Sequence, residues 1–123
     1  MVNVSDETFQ ELVDKALSSL PGVHAKSIAN VAILYEYEPT PIQREILKLR
    51  NDQTLYGLYE GVPLPQRQGQ THLLPDKITV FKGPLERASS DIDQLQENIR
   101  HTLWHEIGHY YGLDHDKIHE LES

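Results

Sequence analysis

Five aliphatic residues, Ile92, Leu95, Ile99, Leu103 and Ile107, recur at three- and four-residue spacing late in the chain. That period lets an α-helix bury one face along its whole length, so this segment demands a long helix packed against a core. Ser90 stands where it can cap the helix, with Asp93 three residues on in capping-box position. Gly112 stands where the helix can end without Cβ strain. A second amphipathic helix is predicted over 5–20. Ser5-Asp6-Glu7 supplies a cap and first-turn acids, and Phe9, Leu12, Val13, Ala16, Leu17 and Leu20 repeat the period until Pro21-Gly22 stops it.

Between the helices the pattern changes. Residues 28–37 are apolar, β-branched and aromatic, close on Pro39 and Pro41, and read as a strand. Residues 42–50 suggest a short helix starting on Pro41, and residues 55–60 look extended. The Pro-, Gly- and Gln-rich stretch 61–71 reads as a loop. Residues 78–82 form a further strand, bounded by Pro75 and by Gly83-Pro84. The order implies an α+β fold in which a small sheet is backed by helices. With 123 residues the chain has enough material for one core, so a single domain spanning 1–123 is expected.

Composition narrows the function. The formal net charge is −8, which argues against gripping phosphate backbones or anionic membranes. No apolar run is long enough to span a bilayer, and residues 1–9 have neither the basic start nor the apolar stretch of a signal peptide. There is no cysteine, which removes disulfides and thiolate ligands and fits a cytoplasmic protein. Histidine is abundant instead: five of seven, His101, His105, His109, His115 and His119, follow residue 100.

These histidines are ordered. From 105 to 115 the chain reads H-E-x-x-H-x-x-G-x-x-H. His105 and His109 lie one helical turn apart and point the same way. At about 100° per residue both sit well away from Leu103 on the apolar stripe, so one helix can bury one face and present two imidazoles on another. Past Gly112 the chain can turn back and bring His115 to the same point. Three neutral imidazoles leave one position open on zinc, as catalytic sites do. Glu106, directly after the first ligand, is placed to take a proton from activated water. In a chain of this composition H-E-x-x-H alone arises by chance roughly once in thirty sequences; adding Gly112 and His115 makes it roughly one in ten thousand, which favours a site over coincidence.

Neighbouring residues receive plainer readings. His101 fits a solvated helix position, and Tyr110 and Tyr111 fit packing. Trp104 fits the core or the wall of the site. Asp114 and Asp116 flank His115, and either could orient its imidazole or take its place as ligand. His119 fits a polar terminal turn. A three-histidine site would also accept nickel, cobalt or iron.

The motif resembles that of the metzincin clan of zinc peptidases. Further segments, Asn30-Val31-Ala32, Leu58-Tyr59-Glu60-Gly61-Val62-Pro63-Leu64, Pro75-Asp76-Lys77-Ile78-Thr79 and Gly83-Pro84-Leu85, resemble the small bacterial metallopeptidases called minimal zincins. That resemblance implies a twisted sheet over an active-site helix, with an N-terminal helix beside it. It also implies one zinc ion on His105, His109 and His115, Glu106 as general base, a peptide or protein substrate and a cytoplasmic location. Two departures stand out. The only methionine is Met1, so the methionine turn of metzincins has no counterpart. Only eight residues follow His115, too few for the subdomain that walls the metzincin cleft. Two other functions compete. Gly112-Leu113-Asp114-His115 also resembles the ending of a small RNA-processing hydrolase motif, but that motif usually carries glycine where this chain has Glu106. A non-catalytic zinc-binding module is the remaining alternative.

Overall fold

A computed structural model describes residues 1–20, 31–50, 54–61 and 76–110. Among them the elements run α1 (Asp6–Ser18), β1 (Val31–Glu36), α2 (Pro41–Ile46), β2 (Gly57–Glu60), β3 (Asp76–Phe81), α3 (Lys82–Arg87) and α4 (Ile92–Tyr110). The architecture is α+β, as the pattern predicts. No helix among the described residues is long and apolar enough to cross a membrane.

α1 begins where its cap predicts: the Ser5 hydroxyl accepts the Thr8 N–H at 3.1 Å. α2 starts on Pro41 behind a full capping box, in which Thr40 and Gln43 satisfy each other's main-chain N–H groups. α4 departs from expectation at its start. Asp91, not Ser90, is the cap, accepting the Gln94 N–H at 2.7 Å. Gln94 in turn accepts from the N–H and hydroxyl of Ser90 at 2.6 and 2.9 Å. Asp91 thus caps the helix while the Gln94 side chain reaches back to Ser90, one residue before the cap, and Asp93 takes part in neither bond. Ile92, the first residue of the expected stripe, is 50% exposed. It lies in the first turn, ahead of the point where α4 meets its neighbours.

The three strands form one sheet in the order β1-β3-β2. β1 runs parallel to β3, pairing Ile33 with Ile78 and Tyr35 with Val80. β2 is antiparallel to β3, pairing Gly57 with Val80 and Tyr59 with Ile78. Ile78 and Val80 lie on one face of central β3 and share a core with Phe9, Val13 and Ala16 from α1, Leu20 just past its end, and Leu95, Ile99, Leu103 and Ile107 from α4. Each such aliphatic side chain contributes about 1.5–3 kcal/mol on burial, which is what holds α4 against the sheet.

α3 is the element that the residue pattern does not announce. Gly83-Pro84 reads as a full stop after the strand, yet the chain enters a helix there. Pro84 falls in the first turn, where no intrahelical N–H is required. Gly83 is needed because a Cβ would strike Glu38 and the Tyr37 carbonyl, to which its own N–H donates at 2.8 Å. α3 also buries a charged cluster. Lys82 Nζ lies 3.2 Å from Glu86 and 3.7 Å from Asp6, and Glu86 accepts the Val4 N–H at 2.8 Å. The N-terminal residues are thereby tied to the helix after β3.

Candidate metal centre

α4 is two-sided at its C-terminal half. Leu103 and Ile107 are buried in the core, while His105 and His109 are half-buried on another face. The two imidazoles stand edge to face, with centroids 4.8 Å apart and planes at 76°. Nitrogens of His105 and His109 and a carboxylate oxygen of Glu106 all lie within 4.8 Å of one another. That spacing suits one small cation with a water between it and the carboxylate, and paired imidazoles are donors that suit zinc.

Glu106 itself is only 8% exposed. Burial pushes its carboxyl up to about 7, and an N–H from the Tyr59 main chain pulls the other way. A carboxyl group titrating near neutrality beside two imidazoles can accept a proton and release it again under ordinary conditions.

β2 supplies the other wall. Gly57 crosses α4 so closely that a Cβ there would lie 2.5 Å from Thr102 Cγ2 and 3.2 Å from Glu106 Cγ. The Tyr59 hydroxyl donates to buried Asp76 at 2.8 Å, fixing the ring at the far end of the strand. Gly57 and Thr102 carry no motif, and Tyr59 stands in a segment that carries the resemblance without a stated role. Gly57 still leaves a trace in the sequence, as a lone glycine inside an extended stretch, a sign of close backbone approach. Gly57→Ala is expected to destabilise the protein by roughly 1–3 kcal/mol through this overpacking. Thr102→Ser, which removes the struck methyl, should recover much of the loss in the double variant. Thermal denaturation of the four proteins checks this.

His101 is exposed one turn before His105, as expected for a solvated position. It borders an open hollow of about 250 Å³ shared with Tyr56, Leu85, Ala88, Gln94, Asn98 and Thr102. Trp104 is half-buried and packs against the core. His115, Gly112, Asp114, Asp116, His119, Tyr111 and the side chain of Tyr110 lie outside the described residues, and with them the expected third ligand and the expected helix end.

A family profile described as zincin-like metallopeptidase matches residues 28–123. Among solved structures, a conserved hypothetical protein from Thermo thermophilus has a similar fold, with a TM-score of 0.58 at 18% identity. The alignment covers 88% of this chain and 94% of that one. No curated protein gives a significant match.

Proposed function

The chain belongs to the zincin-like metallopeptidase family, and from that premise we propose that it is a zinc-dependent peptidase, a single domain over residues 1–123 that hydrolyses peptide bonds in peptides or flexible protein segments. The observation that carries this reading is the position of Glu106: buried, beside two imidazoles one turn apart, with a carboxyl group that titrates near neutrality.

His105 and His109 are the two ligands on α4, and His115 is the third. Neutral imidazole is the commonest protein donor to zinc, and Asp114 or Asp116 then orients the His115 ring through its other nitrogen. When bound, zinc supplies Lewis acidity that lowers the pKa of water towards neutrality. Glu106 takes the proton of the attacking water and passes it to the departing amine. An extended substrate has an edge to pair with. Tyr56 accepts the Phe81 N–H at 2.9 Å, and in an antiparallel ladder Gly57 therefore turns its main-chain groups away from β3, whereas the outward N–H of Tyr59 is taken by Glu106. The hollow beside His101 and Tyr56 offers room for a substrate side chain next to that edge.

The charge of −8 and the glutamate at 106 both weigh against the RNA-processing reading. Absence of cysteine suits a reducing, cytoplasmic location. Digestion of a peptide library by the zinc-loaded chain tests the activity. Cleavage should stop with a chelator and return with zinc. Zinc content should collapse in His105→Ala, His109→Ala and His115→Ala, and fall only by a supporting-residue amount, roughly 10- to 100-fold in affinity, in Asp114→Ala or Asp116→Ala. A zinc-loaded chain that cleaves no peptide in the library would refute the peptidase assignment.

A further inference from the structure

Tyr59 occupies an unusual place on the edge of the sheet. Its pairing with Ile78 is the kind in which neither residue bonds the other, because Tyr56 and Phe81, three positions back along the ladder, form the bonded kind and the two kinds alternate. The Tyr59 N–H therefore points away from β3, and it is the group that reaches the Glu106 carboxylate. Gly57, on the same strand face as Val80, lets β2 approach Thr102 and Glu106 without a Cβ between them. At the other end of the strand, buried Asp76 accepts the Tyr59 phenol at 2.8 Å. Glu106 would otherwise be free to swing about its side-chain torsions. These contacts tie it to a strand that is itself bonded to the central strand of the sheet.

We infer that β2 is the positioning element for the general base: the main-chain N–H of Tyr59 holds the Glu106 carboxylate, and Asp76 holds Tyr59 through its phenol. This rests on the peptidase reading for the word base; the contact itself is independent of any substrate. Neither Tyr59 nor Asp76 touches the reacting atoms. Both act through Glu106.

Amide hydrogen exchange on the intact chain, followed residue by residue by NMR, tests it without a substrate. The Tyr59 amide faces Glu106 and not β3, so its protection should depend on that carboxylate. In Glu106→Ala its exchange should quicken by roughly tenfold or more, the size of a hydrogen bond to a charged group. The amides of Leu58 and Glu60, whose pairing to β3 is of the bonded kind, should keep their protection. Glu106→Gln retains an accepting oxygen and should restore most of the Tyr59 protection. Unchanged Tyr59 exchange in Glu106→Ala would overturn the inference. So would an equal loss at Leu58 and Glu60, which would mean that Glu106 merely keeps the strand in the sheet.

A second arm uses peptide hydrolysis. Asp76→Ala should lower kcat by roughly tenfold with KM and zinc content held, and Asp76→Asn, which still accepts the phenol, should recover it. A rise in KM with kcat unchanged would assign Asp76 to substrate binding and refute a positioning role. Absence of any hydrolysis in the wild type would count against the peptidase reading, whereas the exchange result stands or falls by itself.

Discussion

Glu106→Gln is expected to keep zinc bound and to lower kcat for peptide hydrolysis by roughly a hundred- to ten-thousand-fold. The substitution preserves shape and leaves an oxygen for the Tyr59 N–H, so the wall between α4 and β2 should stand. What it removes is the ability to take up a proton, which in general-base catalysis contributes on that scale. His105 and His109 are untouched, and Glu106 is assigned as base and not as ligand, so metal content should hold. Elemental analysis beside steady-state kinetics measures both halves. A variant that turns over at the wild-type rate would remove Glu106 from the mechanism. A variant that loses zinc would make it a ligand.

The metal-free chain should lose stability as pH rises, and Glu106 should account for about 3 kcal/mol of that loss. Its carboxyl is pushed up to about 7 in the folded protein from an ordinary 4.5, because burial penalises the charge. A raised carboxyl means that the folded state holds a proton that the unfolded chain releases. The associated stability is fully present below about pH 4.5 and drains away as pH climbs through 7. Urea denaturation at pH 5 and pH 8 gives the change for the wild type. Several histidines titrate over the same range, so the diagnostic quantity is the difference between wild type and Glu106→Gln. The variant should be the more stable of the two at pH 8, by an amount that shrinks towards pH 5. Zinc should narrow the gap, since a cation beside the carboxylate favours its charged form. A difference that stays constant across pH would show that burial of Glu106 carries no titration cost.

What the sequence reveals of this architecture follows from what is local. The stripe of α1, that of α4 from Leu95 onward, the Ser5 cap and the start of α2 on Pro41 are written in spacing within a few residues, and these are found. So is the pairing of His105 with His109, a matter of helical pitch alone. α3 escapes because Gly83-Pro84 is ambiguous punctuation: the same dipeptide ends a strand and opens a helix, and only the contact of Gly83 with Tyr37 and Glu38 settles which. The cap of α4 shifts by one because Ser90 and Asp91 are both competent, and Gln94 bonds in sequence to each. Tyr59 and Asp76 stand in segments that carry the family resemblance, but nothing there states their task, since a main-chain N–H belongs to every residue except proline. Its meaning arises only when β2 is laid beside α4.

The pairing of α1 with α4 across the core bears on how the protein is made. The two helices that bury most of the aliphatic side chains stand toward opposite ends of the chain, and β1 must wait for β3, forty-five residues later in register, before it has a neighbour. During synthesis, then, the ribosome holds a chain whose β1 edge waits for β3 and whose α1 stripe waits longer still, for α4. Contacts so distant along the chain slow the closing of the core. His105 and His109 leave the ribosome on the very helix that completes it. Cation capture should therefore follow collapse instead of seeding it, and exposed apolar surface on the nascent chain should make its yield sensitive to chaperone supply.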